Sequence, residues 1–158
     1  MTVASALAPL FRRDLTRLGQ QIAAFPSEAS LWQTLPGVSN AAGNLALHLE
    51  GNLREYVGRQ LANLPYVRNR PLEFSATGIA KQELVRRIEE LSRSIPSAIE
   101  GLSAEQMERP FPEVVLEVPT STLQFLIHLH GHLNWQLGQV DYLRRALTGD
   151  SAIKLAGL

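Results

Sequence analysis

Apolar residues in this chain recur three and four places apart over four long stretches, and they rarely alternate singly with polar ones. That spacing gives an α-helix one dry face and gives a strand none. Leu7, Leu10, Phe11, Leu15, Leu18 and Ile22 predict a first helix from Ser5 to Ala24. Pro9 falls near its first turn, where a missing N–H costs little, and Pro26 stops it. One helical turn is expected near Leu31. Ser39 is the expected N-cap of a second helix, Asn40 to about Leu61, with the stripe Leu45, Leu49, Leu53, Tyr56 and Val57 beside Ala42 and Ala46. Leu47 lies off that stripe. A third helix is expected from Ile79 to Ile99, kinked or interrupted at Pro96. The fourth, capped by Thr120 or Ser121, runs to about Leu147 with Gly149 just past its end.

Between these stretches the chain reads as loop. Residues 65–78 carry Pro65, Pro71 and Gly78, and Ser103 with Gln106 forms a capping box for a short turn. The run RPFPEVVLEVP reads as an extended loop or a short hairpin arm. Four amphipathic helices in a single domain spanning 1–158 predict an all-α fold, an antiparallel four-helix bundle with long inter-helix connections.

Composition narrows the function. With no cysteine, the chain has no disulfide scaffold, no thiol nucleophile and no Cys-ligated metal. Fifteen basic residues balance fifteen acidic ones, so neither nucleic acid nor a membrane surface is an expected partner. No stretch is long and apolar enough to span a bilayer. The segment MTVASALAPLFRRD lacks the positive n-region of a secretory signal, so the expected compartment is the cytoplasm.

The chemistry-bearing residues fall on two helices. Projected at about 100° per residue, His128, His132, Gln136 and Gln139 share a face of the fourth helix with Phe125 and Leu143. That face adjoins the apolar stripe Leu126, Leu129, Leu133, Leu137 and Val140. On the second helix His48 shares a face with Leu45, Asn52 and Tyr56. Imidazoles facing one another across a helical core are ready ligands for a divalent metal. His130 points towards the side of Asn134 and Asp141 and reads as a surface or helix-interface residue. Glu28 and Glu50 are possible acid–base groups, and Trp32, Tyr56 and Trp135 are candidates for a pocket mouth.

NLALHLEGNLREYV on the second helix, together with HLHGHLNWQLGQVDYLRRAL on the fourth, resembles the DinB-like superfamily. The most specific points are His48 with Gly51 and Asn52, and Gly138–Gln139 ahead of Leu143, Arg144 and Arg145. The resemblance implies an antiparallel four-helix bundle, often a homodimer. It also implies a divalent metal, zinc or nickel, held by one histidine of the second helix and two from an HxxxHxGQ-type run on the fourth. Relatives include thiol transferases and thiol-dependent isomerases acting on small molecules, and no DNA contact is implied.

Residue by residue, His48 matches the first ligand and His132 the first histidine of the run. The second histidine of that run falls on Gln136, a poorer ligand. Two ligand sets stay open, His48 and His132 with His128, or with Gln136; Gln139 and Asn52 read as polar groups that orient ligands or bind a cofactor. Two functions stay open as well. One is a metal-dependent enzyme of thiol transfer or hydrolysis, its catalytic residues unknown. The other is a metal-free small-molecule-binding or structural bundle with a degenerate site.

Overall fold

The computed structural model describes residues 2–115 and 117–157, and its regular structure is helical. The elements are α1 (Val3–Ala23), α2 (Glu28–Leu31), α3 (Ala42–Leu53), a π-helical segment (Arg54–Arg59), α4 (Gln60–Ala62), α5 (Arg70–Ser75), α6 (Lys81–Glu100), α7 (Ala104–Glu108) and α8 (Thr122–Thr148). Among the described residues the β-type pairing is limited to an isolated bridge between Pro110 and Ser121. It closes the 109–122 arm at its base; Leu116, within that arm, lies outside the described residues. No helix among those described is long and apolar enough to cross a membrane.

Local chemistry sets the ends. Thr2, Ser27, Ser103 and Ser121 each cap a helix in a reciprocal capping box, which satisfies two N–H groups that the first turn leaves free. Gly149 ends α8 in the left-handed region at φ 75°, where a side chain is penalised. Three expectations need correction. Ser39 does not cap the second helix: Ala41 precedes α3 with no side-chain cap. Pro96 does not break α6; it denies Ser92 a helical partner, but burial of Ile95 and Ile99 on either side carries the helix through. Residues 65–78 are not all loop, because the Asn69 side chain accepts from Leu72 N and starts α5, with Pro71 in its first turn.

The core is built from the expected stripes. Phe11, Leu15, Leu18 and Ile22 of α1 meet Leu84, Ile88, Leu91, Ile95 and Ile99 of α6. α1 also packs on α8, and α3 packs on both α6 and α8, so the long helices share one core. Each such side chain contributes about 1.5–3 kcal/mol by leaving water. Trp32 lies flat on Gly43, where a Cβ would stand 2.6 Å from the indole, and its Nε1 donates to Ile79 O at 3.3 Å. It therefore packs α2 onto α3 and the start of α6 rather than lining a pocket.

One polar knot crosses this core. Asp14 is fully buried on α1 and accepts from Arg13 (2.7 and 2.9 Å), Arg17 (3.3 Å), His130 Nε2 (2.9 Å) and Asn134 Nδ2 (2.9 Å). His130 is thus a helix-interface residue joining α8 to α1. Burial alone would push the Asp14 carboxyl up, but the bonds from His130, Arg13 and Asn134 outweigh it and hold it well below the usual carboxylate range. The unfolded chain therefore takes up this proton first as pH falls, so the stabilisation is whole above the ordinary carboxylate range and is lost below it. Asp14→Asn should destabilise the fold by about 2–3 kcal/mol in urea titrations at neutral pH and flatten its acid sensitivity. An unchanged midpoint would deny Asp14 this role.

Candidate functional site

His48, on α3, and His132, on α8, meet where their helices pack. Their Nε2 atoms lie 3.1 Å apart and their rings stand edge to face at 90°. His48 is buried; His132 is half-buried. Behind His48, its Nδ1 lies 2.9 Å from the buried Glu73 Oε2. A carboxylate only accepts, so Nδ1 carries the hydrogen and Nε2 of His48 is left with its lone pair aimed at His132. Glu73 is fixed in turn by Arg68, whose Nε and Nη2 donate to its two oxygens at 2.7 and 3.0 Å. The Arg68 guanidinium lies over the Tyr56 ring, 5.5 Å from its centroid.

The sequence makes room for this chain of contacts. A Cβ on Gly51 would stand 2.1 Å from Glu73 Oε1, so only glycine lets the carboxylate approach α3 there. Asn44, one turn before His48, donates to Glu73 O at 3.2 Å and Ala76 O at 2.9 Å and clamps α5 on α3. Sequence pattern alone does not single out Glu73 or Arg68. Two signals point to them: an Asn-Arg-Pro helix start, and Gly51 in the interior of a long amphipathic stretch.

Beyond each histidine, one turn along its helix, stands an amide with an unsatisfied oxygen. Asn52 Oδ1 lies past His48 and Gln136 Oε1 past His132; both atoms are buried without a hydrogen-bond partner. An acceptor left so costs about 1–3 kcal/mol unless something donates to it or binds it. The other expected residues are elsewhere. His128 is exposed, its ring stacked on Phe125 at 5.9 Å. Gln139 lines a separate groove of about 470 Å³ with Leu35, Val38, Tyr142 and Ala146. Trp135 is exposed on the outer face of α8. Glu50 is buried between Arg54 and Arg87, and Glu28 accepts from Lys81 N at 3.3 Å at the start of α6. Tyr56 does border the site: with Phe111 and Phe125 it forms an aromatic cluster that seats the 109–122 arm. A recess of about 510 Å³ lined by Tyr56, Tyr66, Arg68 and Glu113 opens to solvent beside it.

Among the described residues no three His, Cys, Asp or Glu side chains gather closely enough to hold one ion. The two imidazoles do fit part of such a set. Nitrogens bound to one ion at about 2.0–2.1 Å lie about 2.9–3.4 Å apart, which brackets their separation. Gln136, one turn beyond His132 on α8, carries a buried amide oxygen with no hydrogen-bond partner among the described residues.

A crystal structure from Enterococcus faecalis shares this fold. It is of a conserved protein, 17% identical to this chain, with a TM-score of 0.75 over 95% of this chain and 99% of that one. At that identity the likeness is one of fold. No family model matches the chain, and no curated protein does.

Both histidines are held neutral. Burial pushes His48 down, more than Glu73 raises it. Burial also pushes His132 down, to about 4, with His48, His128 and Arg68 adding to the effect. In metal-free protein, the His132 imidazole should therefore titrate near 4 by NMR. Because the unfolded chain takes this proton first, stability should fall as pH drops from about 6.5 to about 4. A midpoint near 6.5 would mean that the His132 ring is solvated.

Proposed function

We infer that the chain is an antiparallel four-helix bundle of the DinB-like type whose His48–His132 pair holds a divalent metal, zinc or nickel, for thiol transfer to an electrophile or for hydrolysis. The observation that carries this reading is the pair of neutral imidazoles with Nε2 atoms 3.1 Å apart, one oriented from behind by a buried carboxylate. Glu73 fixes the His48 tautomer, as carboxylates behind metal-bound histidines do. Gln136 supplies an amide oxygen as third donor, and His128 stays outside the set. Bound there, the ion would supply Lewis acidity and lower the pKa of a coordinated water or thiol. The chain's own part is to hold two lone pairs in register, and to offer a polar recess beside Arg68 and Tyr56 through which a small substrate arrives.

A second reading rests on the two unsatisfied amide oxygens and the absence of a third acidic or imidazole ligand among the described residues. Here the pocket takes a metal-free small molecule that donates hydrogen bonds to Asn52 and Gln136.

Zinc affinity, measured by competition with a chromophoric chelator, separates the two. His48→Ala or His132→Ala should weaken zinc binding at least about 100-fold, and Glu73→Gln about 10–100-fold. Gln136→His should tighten it, since imidazole replaces an amide. His128→Ala should change it less than about threefold. If wild-type protein and Gln136→His both fail to compete for zinc, the metal reading is wrong and the metal-free pocket stands.

A further inference from the structure

Around the histidine pair the arginines are matched to carboxylates, with one exception. Arg68 is paired with Glu73, Arg59 with Glu55, and Arg54 and Arg87 with Glu50. Arg70 is exposed and has no carboxylate partner among the described residues. Its guanidinium lies over the Phe74 ring, 5.3 Å from the centroid. The Phe74 ring in turn lies 4.8 Å from that of His48, tilted by 35°. One aromatic ring therefore links this cation to the imidazole. Arg12 and Arg93 also lack a partner among the described residues, but they are exposed on α1 and α6, which carry neither histidine of the pair.

The order of contacts along α3 places Arg70 more closely. Ala76 O accepts from Asn44, Glu73 lies against His48 and Gly51, and Arg68 covers Tyr56. The 68–76 segment thus runs antiparallel to α3. Arg70 falls between the level of His48 and that of Tyr56, between the pair and the recess that opens to solvent. A guanidinium laid on a ring keeps its in-plane N–H groups free, and they form a fork that fits a carboxylate.

The charge at the pair favours the same kind of occupant, on the reading that the pair holds a divalent ion, on which this inference rests. Two imidazoles and an amide are neutral donors, so a bound ion would keep its whole charge. Glu73, the carboxylate behind them, is already matched by Arg68. A neutral occupant would leave both the ion and Arg70 uncompensated. We propose that the substrate of this site carries a carboxylate, which Arg70 receives on its open edge while the reacting group sits at the His48–His132 pair. A single guanidinium matches one carboxylate in charge and in fork geometry. A phosphate dianion would call for a second free cation, and Arg59 and Arg68 are already paired. Arg70 is thus a specificity-determining residue, and Phe74 positions it by setting the plane of the guanidinium.

Calorimetric titration of the zinc-loaded protein tests this, with the linear dicarboxylates from glutarate to suberate, each against its own monoamide. One carboxylate of a probe reaches the ion, and the second reaches Arg70 when the chain between them has the right span. Wild type should bind the best dicarboxylate at least about tenfold more tightly than its monoamide. Arg70→Gln should erase that preference while leaving monoamide binding within about twofold of wild type. Arg70→Lys, which keeps the charge without the fork, should retain part of it. Arg93→Gln, the same change of net charge on α6, should leave the preference whole. Because Arg70 is exposed, its variants should fold as wild type does, with unchanged zinc affinity. If zinc binds through His48 and His132 but Arg70→Gln keeps the preference, the carboxylate proposal is wrong and the metal reading stands. The same holds if no dicarboxylate in the series outbinds its monoamide. If wild-type protein binds no zinc, both fall together.

Discussion

A carboxylate buried in a helical protein needs donors for both its oxygens, and Glu73 finds them in Arg68 and His48. Much of the local architecture serves that need. Gly51 clears the space that the carboxylate occupies, and Asn44 ties the α5 backbone beside it. Asn69 starts the short helix that delivers Glu73 to α3. The outcome reaches the histidine pair: with Nδ1 committed, His48 presents one lone pair in one direction, towards His132. A histidine without such a partner would be free to flip or to change tautomer, and the pair would lose its register.

Asp14 solves the same problem on the opposite side of α8, by a different route. There a lone carboxylate gathers two arginines, a histidine and an asparagine across the α1–α8 contact. α8 is therefore held by polar contacts on two sides, through His130 to α1 and through His132 to α3, with the Leu126–Val140 stripe between them. Its rotation about its own axis is thereby fixed, and that rotation decides which side chains face inward.

The same rotation explains how much of the site was legible in the sequence. The periodicity located the long helices, and the cap residues Ser121 and Gly149 located the ends of α8. Facing inward proved a matter of degree. Measured from the middle of the Leu126–Val140 stripe, Gln136 lies about 60° round, His132 about 100°, Gln139 about 120° and His128 about 140°. The protein surface passes through that series. Gln136 keeps a buried oxygen and His132 reaches His48, while His128 falls outside. A projection that groups them as one face is right about direction and too coarse by about 40° to say which of them reach the α3 side. Glu73 escaped for another reason. It sits on a helix too short to show a period, and its importance comes from contacts distant in sequence.

The π-helical segment Arg54–Arg59 gives the chain something a uniform helix would lack. Its wide turn holds an extra residue, so the backbone beyond it comes round by about 100° relative to a continuous α-helix. Gly58 O thereby receives Leu64 N at 2.9 Å, and Gln60 Nε2 reaches Glu113 in the 109–122 arm at 2.7 Å. Such a turn is a seam in evolutionary time. A single-codon deletion within it could revert the helix to ordinary winding without breaking the backbone ladder, leaving His48 and Asn52 upstream undisturbed. The arm would lose its Gln60 anchor in the same event. Variation in the length of this segment is thus a route by which descendants of such a chain could re-aim the cover beside the histidine pair while inheriting the pair unchanged.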